Sequence, residues 1–203
     1  MLHTFYPVLP DLDWLERLVP LGVRTVQLRL KDATDDEVRR QIAASLELCA
    51  KHNCQLIVND YWRESIELGA DYIHLGQEDL AAADLDAIKD AALKLGVSTH
   101  SHEELEMGLK ADPDYVALGP VYETKLKKMK WAPQGLARVT EWKRFISVPL
   151  VAIAGITVER APDVLAAGAD SLAVVTDIIT NENPEARVSE WLELVEGYCA
   201  NRT

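Results

Sequence analysis

The stretch Leu56–Asp79, LIVNDYWRESIELGADYIHLGQED, reads as strand, helix, strand. Two short apolar runs, LIV and YIHL, flank a helical pattern that ends at a Gly-Ala-Asp turn. Each strand stops on an acid-bearing tip, with Asn59 and Asp60 after the first and Asp79 just past the second. On neighbouring parallel strands two such carboxylates suit one shared divalent cation. Hard cations such as Mg2+ take oxygen ligands and are held by one or two carboxylates plus substrate phosphates. Asn59 and Asp60 equally suit a turn and the cap of the next helix, so the stretch by itself leaves both uses open.

The same alternation runs through the whole chain. Strands are expected at Phe5–Leu9, Thr25–Arg29, Gln55–Asn59, Tyr72–Leu75, Gly96–Thr99, Tyr115–Leu118, Pro149–Ile153 and Ser171–Val175. Helical patterns separate them. One begins near Asp11 and one covers Thr34–His52, where Thr34 and Glu37 fit a capping box. Others cover Leu80–Leu95, His102–Ala111, a short turn at Asp177–Thr180, and Glu185–Ala200. Eight strand-helix units in 203 residues predict an α/β fold, a (β/α)8 TIM barrel spanning residues 1–203 as one domain. A doubly wound open sheet is the alternative and more commonly has fewer strands. The Gly-Ala-Asp turns at 69–71 and 168–170 each precede a strand, where glycine suits the left-handed end of a helix.

Composition narrows the function. A net charge of -12 argues against nucleic acid or an anionic membrane as partner, so a phosphate ligand requires basic groups concentrated locally. No apolar run reaches a membrane span, Met1–Thr4 lacks a signal-peptide layout, and the expected compartment is the cytoplasm. Cys49, Cys54 and Cys199 have no zinc or redox spacing, and the first two are expected in or near a core.

Active sites of such barrels lie at the C-terminal strand ends. There the second strand carries Gln27, Arg29 and Lys31, which at period two share one face, a donor array suited to pyrophosphate or, alternatively, surface cations on a strand edge. His74 lies in an apolar run and reads as a core residue rather than a ligand. Ser98, Thr99 and His100 suit either a ligand or a helix cap. The longest loop, 119–135, holds four lysines and two prolines in an acidic chain, which suits a lid over an anionic substrate as well as a solvated loop. Ala154-Gly155-Ile156 and Val175-Thr176 follow the last two strands, where these barrels usually bind phosphate.

With those residues assembled, the chain resembles the thiamine-phosphate synthase family along nearly its whole length. The resemblance is carried by QLRLK at 27–31, VNDYWR at 58–63, HLGQEDL at 74–80, GVSTH at 96–100, GPVYETK and KKMKWAPQGL in the loop, and AVVTDI at 173–178. It implies a (β/α)8 transferase that joins hydroxymethylpyrimidine pyrophosphate to a thiazole phosphate and releases pyrophosphate. It implies Mg2+ on Asp60 and Asp79, and pyrophosphate on Gln27, Arg29, Lys31, Asn59 and Lys127, with Arg29 and Lys127 as the catalytic cations. Ser98 would contact the pyrimidine substrate near its pyrophosphate, and Thr124, Gly155, Val175 and Thr176 would hold the thiazole phosphate. The chain departs from the pattern at Leu126, where many members have a second hydroxyl, and at Ala154, where many have glycine. The rivals are a thiazole tautomerase-like relative, a sugar-phosphate isomerase barrel and a non-catalytic binding paralogue. Trp62 and Trp131, taken as exposed aromatics, are the candidates for a subunit contact in a homo-oligomer.

Overall fold

Eight parallel strands close on themselves in sequence order, each paired with the next and β8 with β1. The computed structural model describes residues 2–124 and 131–200. The strands are β1 Phe5–Leu9, β2 Thr25–Leu28, β3 Gln55–Asn59, β4 Tyr72–Leu75, β5 Lys94–Thr99, β6 Tyr115–Leu118, β7 Leu150–Ile153 and β8 Ser171–Val174. Helices α1 Leu12–Leu18, α2 Asp35–Lys51, α3 Trp62–Leu68, α4 Gln77–Ala82 and α5 Leu85–Asp90 lie in the first half. The second half carries α6 His102–Lys110, α7 Gly135–Phe145, α8 Ala161–Ala166, α9 Thr176–Ile179 and α10 Pro184–Ala200. The closed ring settles the choice between barrel and open sheet.

Because strand side chains alternate, one set fills the barrel and the other meets the helices. Tyr6, Val8, Ile57, Tyr72, Tyr115, Ala117, Val151 and Ala173 pack together inside. The larger layer beneath the helices is mainly apolar and includes Cys49 and Cys54, both buried as expected. Helix starts follow from local chemistry. Asp11, Thr34, Asp84 and Ser101 each accept a backbone N–H of the first turn. Only half of the expected capping box at Thr34 forms, because the Glu37 carboxylate turns to Arg40 and Gln41. Gly69 and Gly168 both take positive φ at the helix-to-strand return.

Several expectations are corrected. The pattern Leu80–Leu95 is two helices and the start of a strand. The Asp84 carboxylate accepts from Ala87 N and begins α5, while Lys94 and Leu95 pair with Tyr72 and Ile73. Helix α4 already starts at Gln77, so Asp79 stands in a first helical turn rather than on a strand tip. Strand β2 ends at Leu28, one residue early. Trp62 and Trp131 are half-buried rather than exposed; the Arg63 guanidinium lies 4.2 Å from the Trp62 ring, and the His100 ring stacks beside Trp131.

Candidate active site

Asp60 follows β3 with φ 70°, a left-handed conformation that aspartate tolerates better than most residues. Its backbone N–H donates to His74 O at 2.9 Å, so the chain stays attached to β4 while it turns. Neither Asn59 nor Asp60 caps α3. The N-cap position is Tyr61, without a side-chain cap, and the turn is closed by backbone bonds from Tyr61 N to Asn59 O and from Trp62 N to Asp60 O. This leaves the Asp60 carboxylate for other use.

That carboxylate meets Asp79. The two lie within hydrogen-bond reach, and burial together with the neighbouring Asp79 charge pushes the Asp60 carboxyl up to about 6. The Arg29 guanidinium and the Gly76 backbone N–H pull it back. Two acids held together against their repulsion form an oxygen-rich pair that a divalent cation would relieve. Among the described residues no group of three or more acids, histidines or cysteines could hold a metal. A cation here would therefore take its remaining oxygens from water or a substrate.

Around this pair the structure brings together Gln27, Arg29, Asn59 and Ser98. Gln27 and Asn59 are buried inside the barrel, and Arg29 and Ser98 are half-buried. Arg29 forms no ion pair among the described residues, although its charge reaches both Asp60 and His74. Lys31 does not belong with them in the way period two implies. It is exposed beyond the end of β2, where the following Asp32 turns the chain at φ 53°.

His74 is the core residue its sequence context suggests. Its Nδ1 lies 2.8 Å from Tyr115 Oη and its Nε2 2.7 Å from Ser98 Oγ. Burial, with the Arg29 charge, lowers its pKa to about 4 and keeps the ring neutral. Thr99 is buried and donates to Ala117 O, so it serves the fold. His100 binds the Glu104 carboxylate, and Ser101 rather than Ser98 caps α6.

Across the mouth, a cleft of about 190 Å³ is lined by Thr124, Gly155, Ile156, Thr157, Arg160 and Thr176, among others. Thr124, Gly155 and Thr176 are thus brought together, and Val175 sits directly before α9. Gly155 has φ 68°, and a Cβ there would meet Glu123 O at 2.6 Å, so no other residue fits without movement. Ala154 beside it carries φ 75° despite its methyl group. Lys127 and Leu126, with the rest of the basic segment 125–130, lie outside the described residues.

Sequence reasoning missed three supporting residues. Arg160 donates to Gly155 O at 2.6 Å and stands 4.5 Å from the Tyr122 ring centre. Arg187, on α10, holds the Asp177 carboxylate through Nε and Nη2, and Trp191 Nε1 adds a third bond. Gln77 donates to Ser98 O at 2.7 Å. Only Gln77 lay inside a quoted motif; Arg160 and Arg187 lie outside all of them.

The whole chain resembles proteins of one family. The family model described as thiamine monophosphate synthase matches residues 6–178. A thiamine-phosphate synthase from Rhizobium etli is 60% identical over 192 residues, 94% of each chain. One from Salmonella typhimurium is 50% identical over 189 residues, 93% of this chain and 86% of that one. A solved thiamine phosphate pyrophosphorylase from Pyrococcus furiosus superposes with a TM-score of 0.84 at 25% identity, covering 96% of both chains. No helix among the described residues is long and apolar enough to cross a membrane. A barrel of this topology, matched over nine-tenths of its length at this identity, belongs to the thiamine-phosphate synthase family of transferases.

Proposed function

We propose that the chain joins hydroxymethylpyrimidine pyrophosphate to thiazole phosphate, forming thiamine phosphate and expelling pyrophosphate. The observation that carries this reading is the Asp60–Asp79 pair held beside Arg29 at the barrel mouth. Mg2+ on that pair would neutralise charge developing on the departing pyrophosphate. Gln27, Arg29, Lys31, Asn59 and Lys127 bind the same group. Arg29 and Lys127 act as the catalytic cations, since a fixed positive charge is worth more against the departing anion than against the intact ester. Ser98 contacts the pyrimidine substrate near its pyrophosphate.

Bond breaking leaves a methylene cation that the electron-rich pyrimidine ring delocalises. Thr124, Gly155, Val175 and Thr176 hold the thiazole phosphate so that the ring nitrogen is already adjacent, which replaces a bimolecular encounter by proximity. No protein nucleophile is required, and the buried Cys49 and Cys54 take no part. A tautomerase would have no use for an acid pair, and a sugar-phosphate isomerase would not explain Gln27 and Arg29 beside it.

The test is a product assay by mass spectrometry with both substrates and Mg2+, against a control with EDTA. The expected result is thiamine phosphate formed only with metal. Folded protein that binds both substrates and releases no product would favour the non-catalytic paralogue. Product formed equally in EDTA would overturn the role given to Asp60 and Asp79.

A further inference from the structure

We propose that Arg160 is a specificity-determining residue that supplies the counter-charge for the thiazole phosphate and so selects the phosphorylated thiazole over its free alcohol. The inference rests on the reading of the β6–β8 cleft given above and adds to it the source of positive charge.

The cleft that brings together Thr124, Gly155 and Thr176 is short of such charge. Among the described residues its lining carries two acids, Glu123 and Asp177, and one base, Arg160. A phosphate monoester adds about 1.5 to 2 negative charges at pH 7. Hydroxyls and backbone N–H groups satisfy its oxygens and leave that charge unmatched, in a chain already at -12. Arg187 does not fill the need. Its guanidinium is bonded to the carboxylates of Glu159, Asp177 and Glu190, and its side chain is 14% exposed. What it does is neutralise Asp177, one of the two acids of the lining.

Arg160 is placed differently. It is exposed and forms no ion pair among the described residues. Its Nη1 donates to Gly155 O at 2.6 Å, so the guanidinium lies against a residue assigned to the phosphate. Its Cζ stands 4.5 Å from the Tyr122 ring centre, a cation–π contact that suits the flat guanidinium. Tyr122 is itself pressed on Gly155, where a Cβ would meet Tyr122 Cβ at 2.7 Å. Two contacts thus fix the group in place. A guanidinium has five N–H donors, and the described residues accept from Nη1 alone. The remaining donors form a fork of the kind that binds phosphate oxygens in pairs. Backbone gives the cleft its shape, and Arg160 gives it its sign.

Specificity is a difference of affinities. Removing Arg160 leaves a phosphate facing carboxylates, while the alcohol has no charge to lose a partner. A brace on the Gly155 carbonyl alone would act on both ligands alike, and this separates the two roles.

The test compares Arg160→Gln and Arg160→Lys with wild type. Thiazole phosphate and the thiazole alcohol are each titrated by calorimetry with Mg2+ and pyrophosphate present, and steady-state kinetics run beside them. Both variants should fold, since the side chain is exposed. Arg160→Gln should weaken thiazole phosphate about tenfold, the scale of a hydrogen bond to a charged group, in Kd and KM alike. The loss should fall on KM, with kcat at saturation within about twofold and the KM for the pyrimidine substrate fixed. Binding of the alcohol should not change. Arg160→Lys should recover part of the affinity, because it keeps the charge and loses the fork. Added salt should weaken wild type more than Arg160→Gln. Equal weakening of phosphate and alcohol would reduce Arg160 to a brace and overturn the proposal, as would an unchanged Kd in Arg160→Gln. Product still forming in either case leaves the synthase reading intact. A wild type that binds thiazole phosphate through Arg160 yet forms no product supports the proposal and defeats the synthase reading alone.

Discussion

On the β2–β5 side of the barrel mouth the polar groups are side chains: Gln27, Arg29, Asn59, Asp60, Ser98 and, from α4, Asp79. On the β6–β8 side the cleft depends on backbone, with Gly155 pressed against Glu123 O and Val175-Thr176 leading into the short helix α9. The first side is electrostatically stressed, its acids held close enough to raise the Asp60 carboxyl to about 6. The second is conformationally stressed, with left-handed residues at 154 and 155. The two halves should therefore fail differently, the first by loss of charge and the second by loss of shape.

The largest effect is expected from Asp60→Asn. Turnover should fall at least about a hundredfold, the scale of removing a preorganised charge-stabilising group, and excess Mg2+ should not restore it. Asn also accepts left-handed backbone, so the fold should survive. The folded Asp60 pKa, about 6, lies above the ordinary aspartate value. Metal-free wild type should therefore lose stability as pH rises through that window, because its unfolded form gives up the proton first. Asn should remove that slope and add about 1 kcal/mol at pH 7, a Tm gain of ~2–4 °C by calorimetry. A near-normal rate at saturating Mg2+ would end the metal assignment.

Gly155→Ala probes the opposite side and should come next. The added carbon meets Glu123 O at 2.6 Å and Tyr122 Cβ at 2.7 Å, and at φ 68° the alanine is strained as well. The KM for thiazole phosphate should rise tenfold or more, on the scale of about 1–3 kcal/mol for overpacking. Titration with the pyrimidine pyrophosphate alone should be unchanged. Equal weakening of both substrates would show that the halves are not independent.

The same contrast decides what the sequence revealed. Side chains with a distinct chemistry at strand ends, such as Asn59 and Asp60, were legible because period two and strand termini fix where they stand. The eight strands were legible for the same reason, and their ends moved by at most two residues. What stayed hidden depends on contacts across the ring. Tyr115 reads as an ordinary aromatic strand residue until Gly96, its register partner on β5, is seen to leave room for its ring. The split of α4 from α5 turned on one side-chain cap at Asp84 inside an unbroken amphipathic pattern. Lys31 stands off the expected strand face because the strand period was carried past the strand's last residue.

Arg187→Met should separate support from contact on the β8 side. Arg187 and Asp177 are both largely buried, at 14% and 9% side-chain exposure, and the substitution leaves the acid with only Trp191 as a side-chain partner among the described residues. Breaking such a pair costs about 3 kcal/mol, a Tm loss of ~6–12 °C. The KM for thiazole phosphate should rise several-fold as the start of α9 loosens, while the KM for the pyrimidine substrate stays fixed. An unchanged Tm would mean that the brace contributes nothing to the fold.

Ala154→Gly should have the smallest effect and the opposite sign. Ala154 holds φ 75° because the backbone leaves it no alternative: Val121 N donates to Ile153 O and Tyr122 N to Ala154 O, fixing the segment on either side. A left-handed alanine costs about 1–2 kcal/mol, and glycine returns about 0.4–1 kcal/mol of that through greater freedom of the unfolded chain. The net gain should be about 0.5–1 kcal/mol, visible as a Tm rise of ~1–4 °C, with kcat/KM for both substrates within about twofold of wild type. Asp60 carries nearly the same φ across the mouth, yet its carboxylate gives that position a chemical reason that the Ala154 methyl lacks. A fall in Tm on Ala154→Gly would reverse that distinction, because the methyl group would then be contributing packing that outweighs its strain.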